Sequence, residues 1–432
     1  MRFRDDESGQ MLVLTALCMT MLMGFLALAI DVGILFRAKR NVQIAADAGA
    51  IAGALHQQYG GSPGPACGGG VRGVRCAVQN AVAANGVPAA DVALVSTNPT
   101  DGYHTGPGYV ETIVSVPNPT FFLSAFRGER TTFSVTARGV AGMVPSTTCM
   151  YVLDPSDADA LNVTGPVSAP GCGIQVNSNS ASASCDQGQN LAVPFLHVTG
   201  GQDAGGGCTP TNSTQVVTGV APSGDPLNNL MGSAAAGGLC SALNTLSLGI
   251  NSPLLNAATA IPSALLNIAG ISVRVSCFSD ANVRLPALTL GLPGENHLFI
   301  FENGVQLQGN VIVNGTVDVA GGTLTQGLFQ LTINAPNDPA NPLNGIAILQ
   351  PPTNTTQCSA TVRIPCLRVR LVGGSVNGLI YAPAAKVIID GAGGVGGIIA
   401  YQLDVDGPLS LTRNYNLANP TTSPLNKVEL VE

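Results

Sequence analysis

An uncharged run from Gln10 to Ile30 constrains the fold of this chain more than any other feature. It reads QMLVLTALCMTMLMGFLALAI and continues after Asp31 as VGILF. An α-helix rises 1.5 Å per residue, so a run of this length crosses the roughly 30 Å hydrocarbon core of a bilayer. A cleavable secretory signal has a shorter apolar core and a small-residue cleavage site, and a core helix rarely needs so long a stretch without polar residues. We therefore predict a retained transmembrane anchor.

The rest of the 432-residue chain is poor in charge and rich in turn-forming residues. Charged residues make up 10% of the chain and hydrophobic residues 45%, with 53 glycines and 29 prolines. This apolar fraction can form a core, while the glycines and prolines imply many turns, so a mainly β fold is favoured. The net charge of −7 and the shortage of Lys and Arg beyond the N-terminal region argue against nucleic-acid binding.

The cysteines predict disulfides. Cys18 lies in the apolar run, and the other ten are spread at wide intervals without a CxxC or a Cys/His cluster, so a metal site has little support. Disulfides indicate an oxidising compartment. Because short loops close with the least loss of entropy, sequential pairing is favoured. The predicted pairs are Cys67 with Cys76, Cys149 with Cys172, Cys185 with Cys208, Cys240 with Cys277, and Cys358 with Cys366.

The flanking charges and the cysteines predict opposite orientations of the anchor. Arg2 and Arg4 precede it, whereas Arg37, Lys39 and Arg40 follow it, so a positive-inside count places the C-terminal side in the cytoplasm. Ten thiols would have no disulfide role in the reducing cytosol. We give the cysteines more weight and predict that the body lies outside the cytoplasm.

The helix should continue beyond the membrane to about Gln58, which gives an anchor segment of residues 1–58. Its later part carries small apolar residues on one face, including the pattern Gly49-xxx-Gly53. Small residues permit close packing, either with a neighbouring helix or with the helix's own domain, and both alternatives remain open. Asp31 should lie near the outer boundary of the membrane, hydrated or facing a cation of a partner.

Several separated features of this segment agree with one known family. They are Gly9-Gln10 at the entrance, Asp31-Val32-Gly33 near the exit, Arg37, and Asp47 followed by an Ala/Gly run. The stretch from Ser8 to Leu55 resembles the N-terminal segment of TadG/TadE-like proteins of Tad (Flp) pilus systems. The resemblance implies a single-pass protein of the bacterial inner membrane, a periplasmic or extracellular body, and other Tad pilus or pilin-like proteins as partners. The residues it implies in anchoring or helix packing are Gln10, Asp31, Gly33, Arg37, Asp47, Gly49 and Gly53.

The same resemblance bears on processing. Relatives that the prepilin peptidase cuts carry a Glu at the fifth position after the cleaved Gly, whereas cleavage after Gly9 would place Leu14 there. We therefore predict an uncleaved anchor.

The chain after the anchor divides into a linker and a small module. Residues 59–75 include GGSPGPACGGG and predict a Gly/Pro-rich linker. Residues 76–145 predict a small α+β module: a helix at 76–85, a short apolar helix in PTFFLSAFRG, and a sheet of three strands. Those strands are predicted at 91–96, 109–116 and 131–140.

Residues 146–432 consist of short apolar pulses separated by Gly, Asn, Ser and Pro. Strands of three to five residues at this spacing predict a right-handed parallel β-helix or related solenoid, with a jelly roll or distorted sandwich as the alternative. GLIYAP at 378–383 and GIIAY at 397–401 should form successive coils, and similar stretches occur in TadG-like proteins. Residues 225–271, rich in Leu, Ala and Asn, predict a helical insertion that covers the solenoid.

No catalytic motif stands out, and we predict no catalytic, cofactor or metal residues. The densest acids are Asp154, Asp157 and Asp159, which solvated turns explain. Asp404 and Asp406 form a second pair on one face of a strand, which a polar outer face explains. His56, His104, His197 and His297 are scattered, and no Gly-x-Ser-x-Gly elbow occurs.

Together these features predict a non-enzymatic, membrane-anchored envelope protein that takes part in Tad/Flp pilus assembly or anchoring. Two alternatives stay open: a surface adhesin or binding module, and a carbohydrate-active β-helix enzyme.

Overall fold

The computed structural model describes most of the chain, in fourteen segments. They are residues 8–59, 73–106, 108–123, 132–186, 191–203, 215–228, 240, 263–268, 271–281, 283–338, 341, 343–358, 364–411 and 425–432. The chain forms two compact units, one of residues up to 144 together with 428–432 and one of residues 145–427. The fold is mainly β with one long N-terminal helix, as predicted.

The first unit contains two helices and a four-stranded sheet. Its elements are α1 Ser8–Tyr59, α2 Val74–Ala84, a 3-10 turn Ala89–Asp91, β1 Val92–Ser96, β2 Tyr109–Pro119 and β3 Thr132–Pro145. The strands β1, β2 and β3 pair antiparallel in sequence order. Helix α2 begins at Val74, so the predicted linker is two residues shorter at its C-terminal end. Residues 60–72 and the remainder of the predicted PTFFLSAFRG helix after Leu123 lie outside the described residues.

The fourth strand of this sheet comes from the end of the chain. Strand β25, Asn426–Leu430, lies beside β3. The Val140 N–H donates to the Glu432 carbonyl oxygen at 2.7 Å, and the Val431 N–H donates to the Val140 carbonyl oxygen at 2.8 Å. This contact corrects two expectations. The sheet has four strands rather than three. The last residues of the body predicted over 146–432, residues 428–432, belong to the first unit. The pairing joins residues almost 300 positions apart, which no local pattern reveals.

The core of the first unit lies between the later part of α1, helix α2 and the sheet. Small residues of α1, among them Ala45, Ala46 and Ala50, are fully buried there. The sheet comes so close that a Cβ at Gly139 would lie 2.8 Å from the Ala46 backbone. The alanine and glycine face of α1 therefore lets β3 approach the helix backbone.

The second unit contains short strands, most of which pair in parallel. They are β4 Thr148–Val152, β5 Leu161–Val163, β6 Val167–Ser168, β7 Gly173–Val176, β8 Ser184–Asp186, β9 Leu191–Ala192, β10 Phe195–Val198, β11 Gln215–Thr218, β12 Ala264–Ile268, β13 Ile271–Phe278, β14 Val283–Leu285, β15 Leu288–Leu290, β16 His297–Phe301, β17 Val305–Leu307, β18 Val311–Asn314, β19 Thr316–Val319, β20 Leu324–Gln326, β21 Leu331–Asn334, β22 Ile346–Leu349, β23 Cys366–Val405 and β24 Leu409–Leu411.

Strands β4 to β7 and β13 to β19 each pair with the strand three positions further along the chain. Strand β14 pairs with β17 and β17 with β20, β15 with β18, and β16 with β19, all in parallel. The same spacing joins β4 to β7, β5 to β8 and β6 to β9. Three strands therefore form one layer, and the next three form the layer on top of it. A jelly roll or sandwich is built from antiparallel strands, so this pairing counts against those alternatives.

Strand β4, the first strand of the second unit, lies in the middle of this stack of layers. Strand β4 pairs with β7 on one side and with residues 398–400 of β23 on the other. The layers that follow β4 run towards β11, whereas β13 pairs with β16 and begins the layers that return through β22 to β23. Strand β11 therefore lies towards one end of the stack and β13 towards the other. The two stretches at 378–383 and 397–401 are adjacent, because a Cβ at Gly396 would lie 2.7 Å from the Gly378 carbonyl oxygen.

Apolar side chains fill the interior of the stack and also cover one of its outer faces. Strand β16 is buried at every position, because its alternate residues face the interior core and a second cluster outside the sheet. That second cluster includes Leu227, Cys240, Leu343 and Leu425. The predicted helical insertion at 225–271 is wrong over its last part, where β12 pairs antiparallel with β13. Residues 229–239 and 241–262 lie outside the described residues.

Three of the predicted disulfides are confirmed. Cys149 is bonded to Cys172, Cys240 to Cys277, and Cys358 to Cys366. Cys76 and Cys185 are also disulfide-bonded, but the predicted partners Cys67 and Cys208 lie outside the described residues. Cys18 is free and exposed.

Candidate functional site

The apolar part of α1 is the first candidate site. Nearly every side chain from residue 11 to residue 30 is exposed, including those of Leu12, Leu17, Leu22 and Phe25. Among the described residues, α1 is the one helix long and apolar enough to cross a membrane. Water does not tolerate so large an apolar surface, which indicates a lipid environment or a covering partner.

Asp31 lies near the end of this apolar surface, and backbone N–H groups of the first unit donate hydrogen bonds to its carboxylate. The side chain is 3% exposed. It accepts hydrogen bonds from the backbone N–H groups of Phe121 at 3.0 Å, Phe122 at 3.0 Å and Leu123 at 2.7 Å. This is the geometry of a carboxylate that caps a helical turn. The sequence suggested hydration or a partner's cation for Asp31, and neither reading anticipated these amides 90 residues away.

Four other residues implied by the resemblance, Gln10, Gly33, Arg37 and Asp47, have different surroundings. Asp47 accepts a hydrogen bond from the Gln43 side chain at 2.7 Å, and the same amide donates to the Arg138 carbonyl oxygen of β3. Arg37 and Gly33 are exposed on α1. Gln10 lies in the first turns of α1, and its side chain is outside the described part of the structure. Asp47 thus helps to hold the helix on the sheet.

Gly49 and Gly53 pack within their own unit. A Cβ at Gly53 would lie 2.8 Å from both Val110 Cγ1 and Val78 Cγ2, and one at Gly49 would lie 3.0 Å from Val82 Cγ2. Of the two readings of this small-residue pattern, the structure therefore shows packing on the helix's own domain. The space that a second helix would need at these glycines is already filled by α2 and β2.

The acids at 154–159 form a structural turn. Asp154 is 2% exposed, and its Oδ1 accepts the backbone N–H groups of Ser156 at 2.9 Å and Asp157 at 3.0 Å. The Gln402 side-chain amide donates to Asp154 Oδ2 at 2.8 Å and also to the Asp157 carboxylate. Asp159 is exposed and adopts a positive φ of 54°. These contacts are those of a polar residue that fixes a turn.

The second pair of acids, Asp404 and Asp406, also contacts neighbouring side chains. Lys386 Nζ lies 2.8 Å from Asp404 Oδ2. Burial raises the pKa of Asp404, an effect that Lys386 opposes and that the charges of Asp406 and Asp159 reinforce. Asp406 accepts a hydrogen bond from the Thr164 hydroxyl at 3.1 Å. The backbone N–H of Asp406 donates to the Ile389 carbonyl oxygen at 2.8 Å, so the stacking of layers brings Asp406 close to Asp390.

A serine and a histidine also meet in the second unit, which the sequence did not indicate. Ser276 Oγ lies 2.9 Å from His297 Nε2. In the parallel pairing of β13 with β16, Arg274 lies opposite His297 and Ser276 opposite Phe299, so the serine and the histidine are diagonal neighbours. Both are at least 95% buried. Burial and the charge of Arg274 lower the pKa of His297 to about 4, so the imidazole is neutral at pH 7. Among the described residues His297 Nδ1 has no hydrogen-bond partner. The pair therefore lacks the orienting acid and the substrate access of a catalytic dyad.

Asp318 is the most unusual acid of the chain. It lies in β19 between Ile300 and Leu349 of the neighbouring strands and is fully buried. Neither carboxyl oxygen has a hydrogen-bond partner in the described structure. Burial raises the pKa of Asp318 to about 8. The sequence TVDV gave no sign of this, because an acid on an alternating strand normally faces solvent.

Comparison with known proteins identifies one segment of the chain. Residues 9–57 match the family model described as Flp pilus-assembly TadE/G-like. This match covers α1 almost completely and includes Asp31, Asp47, Gly49 and Gly53. No curated protein and no solved structure matches the chain.

Proposed function

Because the chain carries a TadE/G-like segment on its N-terminal helix, we propose that it is a single-pass, membrane-anchored component of a Tad/Flp pilus assembly system. The observation that carries this proposal is the coincidence of the family match with a helix whose apolar surface is exposed from residue 11 to residue 30. In this role α1 holds the protein in the bacterial inner membrane. Its surface from residue 11 to residue 30 remains free for lipid or for the membrane helix of another pilus protein.

The proposal places the body of the protein outside the cytoplasm. Its support is the disulfide chemistry: three bonded pairs in the second unit are described, and Cys185 is bonded as well. Disulfides persist in oxidising compartments such as the periplasm and are reduced in the cytosol. The basic residues after the helix, Arg37, Lys39 and Arg40, argue for the opposite orientation. Lys39 is partly engaged within the first unit, where its ammonium group donates to the Thr136 carbonyl oxygen.

We further propose that the second unit is a β-solenoid with a structural role. The three-strand repeat of parallel pairings and the continuous interior core support this reading. A non-enzymatic role is supported by the engagement of the acids in turns and ion pairs. Asp390 pairs with Arg368 at 3.0 Å and Asp404 with Lys386 at 2.8 Å.

A genetic complementation experiment tests the proposed role. Deletion of the gene should abolish piliation, and the full chain should restore it. A variant with Leu17→Arg and Leu22→Arg should fail to complement and should leave the membrane fraction, because each charge costs about 3 kcal/mol near the bilayer centre. The matched control is Leu265→Arg with Leu292→Arg, at two leucines of the second unit that are similarly exposed.

The control pair should remain in the membrane fraction and restore pili. Normal piliation in the deletion strain, with loss of surface attachment alone, would instead favour the adhesin alternative.

A further inference from the structure

An open groove of about 730 Å³ lies on the second unit, on the side formed by β20 and parts of β23. Its polar lining consists of Gln326, Arg368, Arg370, Asp390 and Asp406. A smaller cavity of about 150 Å³ shares the first three of these residues and continues the groove along β20. The two together form an elongated depression rather than a closed pocket.

The charges in this groove are only partly paired. Arg368 forms an ion pair with Asp390 at 3.0 Å. Arg370 takes part in no ion pair among the described residues. A guanidinium group binds carboxylates through two parallel N–H bonds, so Arg370 offers an unfilled site for an anion.

Two acids line the same groove and offer hydrogen-bond acceptors. Asp390 and Asp406 come together there because the Asp406 N–H donates to the carbonyl oxygen of Ile389 at 2.8 Å. Burial raises the pKa of Asp390; the Arg368 charge opposes this rise and Asp406 reinforces it. The carboxyl oxygens of these acids can accept hydrogen bonds from hydroxyl groups.

The floor of the groove is kept open by glycine. Gly391 has a φ of +83°, and a Cβ there would lie 2.5 Å from the Leu371 carbonyl oxygen. Any other residue would therefore strain the backbone and displace β23 at the base of the groove.

We propose that this groove binds an acidic saccharide, with a uronate carboxylate on Arg370 and sugar hydroxyl groups on Asp390 and Asp406. A uronic acid unit carries a carboxylate beside hydroxyl groups that donate hydrogen bonds, which matches an unpaired guanidinium beside two acidic side chains. The elongated groove suits a chain of such units better than a single small anion. This binding goes beyond the role proposed above and does not depend on it.

Calorimetric titration of the full chain in detergent tests the proposal. The probe is tetragalacturonate at low salt, compared with a neutral galactose tetrasaccharide and with hexaglutamate. Arg370→Ala should weaken tetragalacturonate binding about tenfold or more, because a charge-assisted pair is lost. Arg370→Lys should recover part of the affinity, since it keeps the charge without the planar fork.

The matched control is Arg75→Ala, which removes an exposed arginine from α2 of the first unit. It should leave binding unchanged. Thermal unfolding of each variant shows whether the fold is retained.

Three results would overturn the proposal. They are absence of binding at about 1 mM tetragalacturonate, equal affinity for the neutral tetrasaccharide or for hexaglutamate, and wild-type affinity of a folded Arg370→Ala variant.

Discussion

Replacing Asp318 with Asn should change how the stability of this protein depends on pH. Asp318 is buried in β19 with no hydrogen-bond partner for either oxygen in the described structure. Its neighbour Thr316 is also buried, but the Thr316 hydroxyl donates to the Ile346 carbonyl oxygen at 2.7 Å. Asn has nearly the same shape as a protonated Asp and cannot ionise. The substitution therefore removes one titration and little else.

The expected size follows from the pKa of Asp318. Burial raises this pKa from 3.8 to about 8, so the folded protein holds a proton that the unfolded chain loses. The stabilisation is complete below the unfolded pKa and is lost as pH rises towards the folded pKa. Within this window the free energy of unfolding falls by about 1.4 kcal/mol per pH unit. Between pH 5 and pH 7 the wild type should lose about 2.7 kcal/mol through this group, or about 5 to 10 °C in Tm.

Calorimetric unfolding of the disulfide-intact full chain in detergent, at half-unit steps from pH 5 to pH 7.5, measures this effect. Burial also raises the pKa values of Asp225, Asp390 and Asp404, so the wild type alone does not isolate Asp318. The informative quantity is the difference in Tm between Asp318→Asn and wild type. It should already favour the variant at pH 5, which lies about one unit above the unfolded pKa, and it should grow by a further 5 to 10 °C, roughly, by pH 7. A difference that stays constant with pH would refute the reasoning, and Asp101→Asn, at an exposed loop, controls for loss of one carboxylate.

Three further predictions concern the first unit and the disulfides. Gly53→Ala should lower stability by about 1–2 kcal/mol in thermal unfolding, because its Cβ would contact two valines at 2.8 Å, whereas Gly33→Ala on the same helix meets open space and should not. Replacing Cys149 and Cys172 together with Ala should cost about 3 kcal/mol, since the bond closes a loop with a sequence separation of 23; an unchanged Tm would contradict this. Asp31→Ala should speed hydrogen exchange of the three backbone amides that donate hydrogen bonds to Asp31. Unchanged exchange rates would contradict a protective role of these hydrogen bonds.

Local sequence pattern predicted the elements that depend on local chemistry. The uncharged run predicted α1, and the alternation of residues predicted β2 and β3. The low entropy cost of closing short loops predicted the pairs Cys149 with Cys172 and Cys358 with Cys366. Each of these depends on neighbours along the chain. The family resemblance at the N-terminal segment was also confirmed by the match over residues 9–57.

Contacts between distant segments were beyond the reach of the sequence. The return of β25 to the first unit, the cap that Asp31 makes for Phe121 and its neighbours, and the meeting of Ser276 with His297 all depend on tertiary packing. The groove was missed for the same reason. Asp390 and Asp406 belong to successive layers, and nothing in their separate turns shows that stacking brings them together.

The most direct test of the account is the accessibility of Cys358 to a membrane-impermeant maleimide in spheroplasts. Cys358 is half-buried and bonded to Cys366, and a Cys18→Ala background removes the free thiol of the described residues. The account predicts no labelling of intact spheroplasts until a membrane-impermeant reductant is added, and strong labelling afterwards. Labelling that requires lysis of the spheroplasts would place the body in the cytoplasm and contradict the proposed topology.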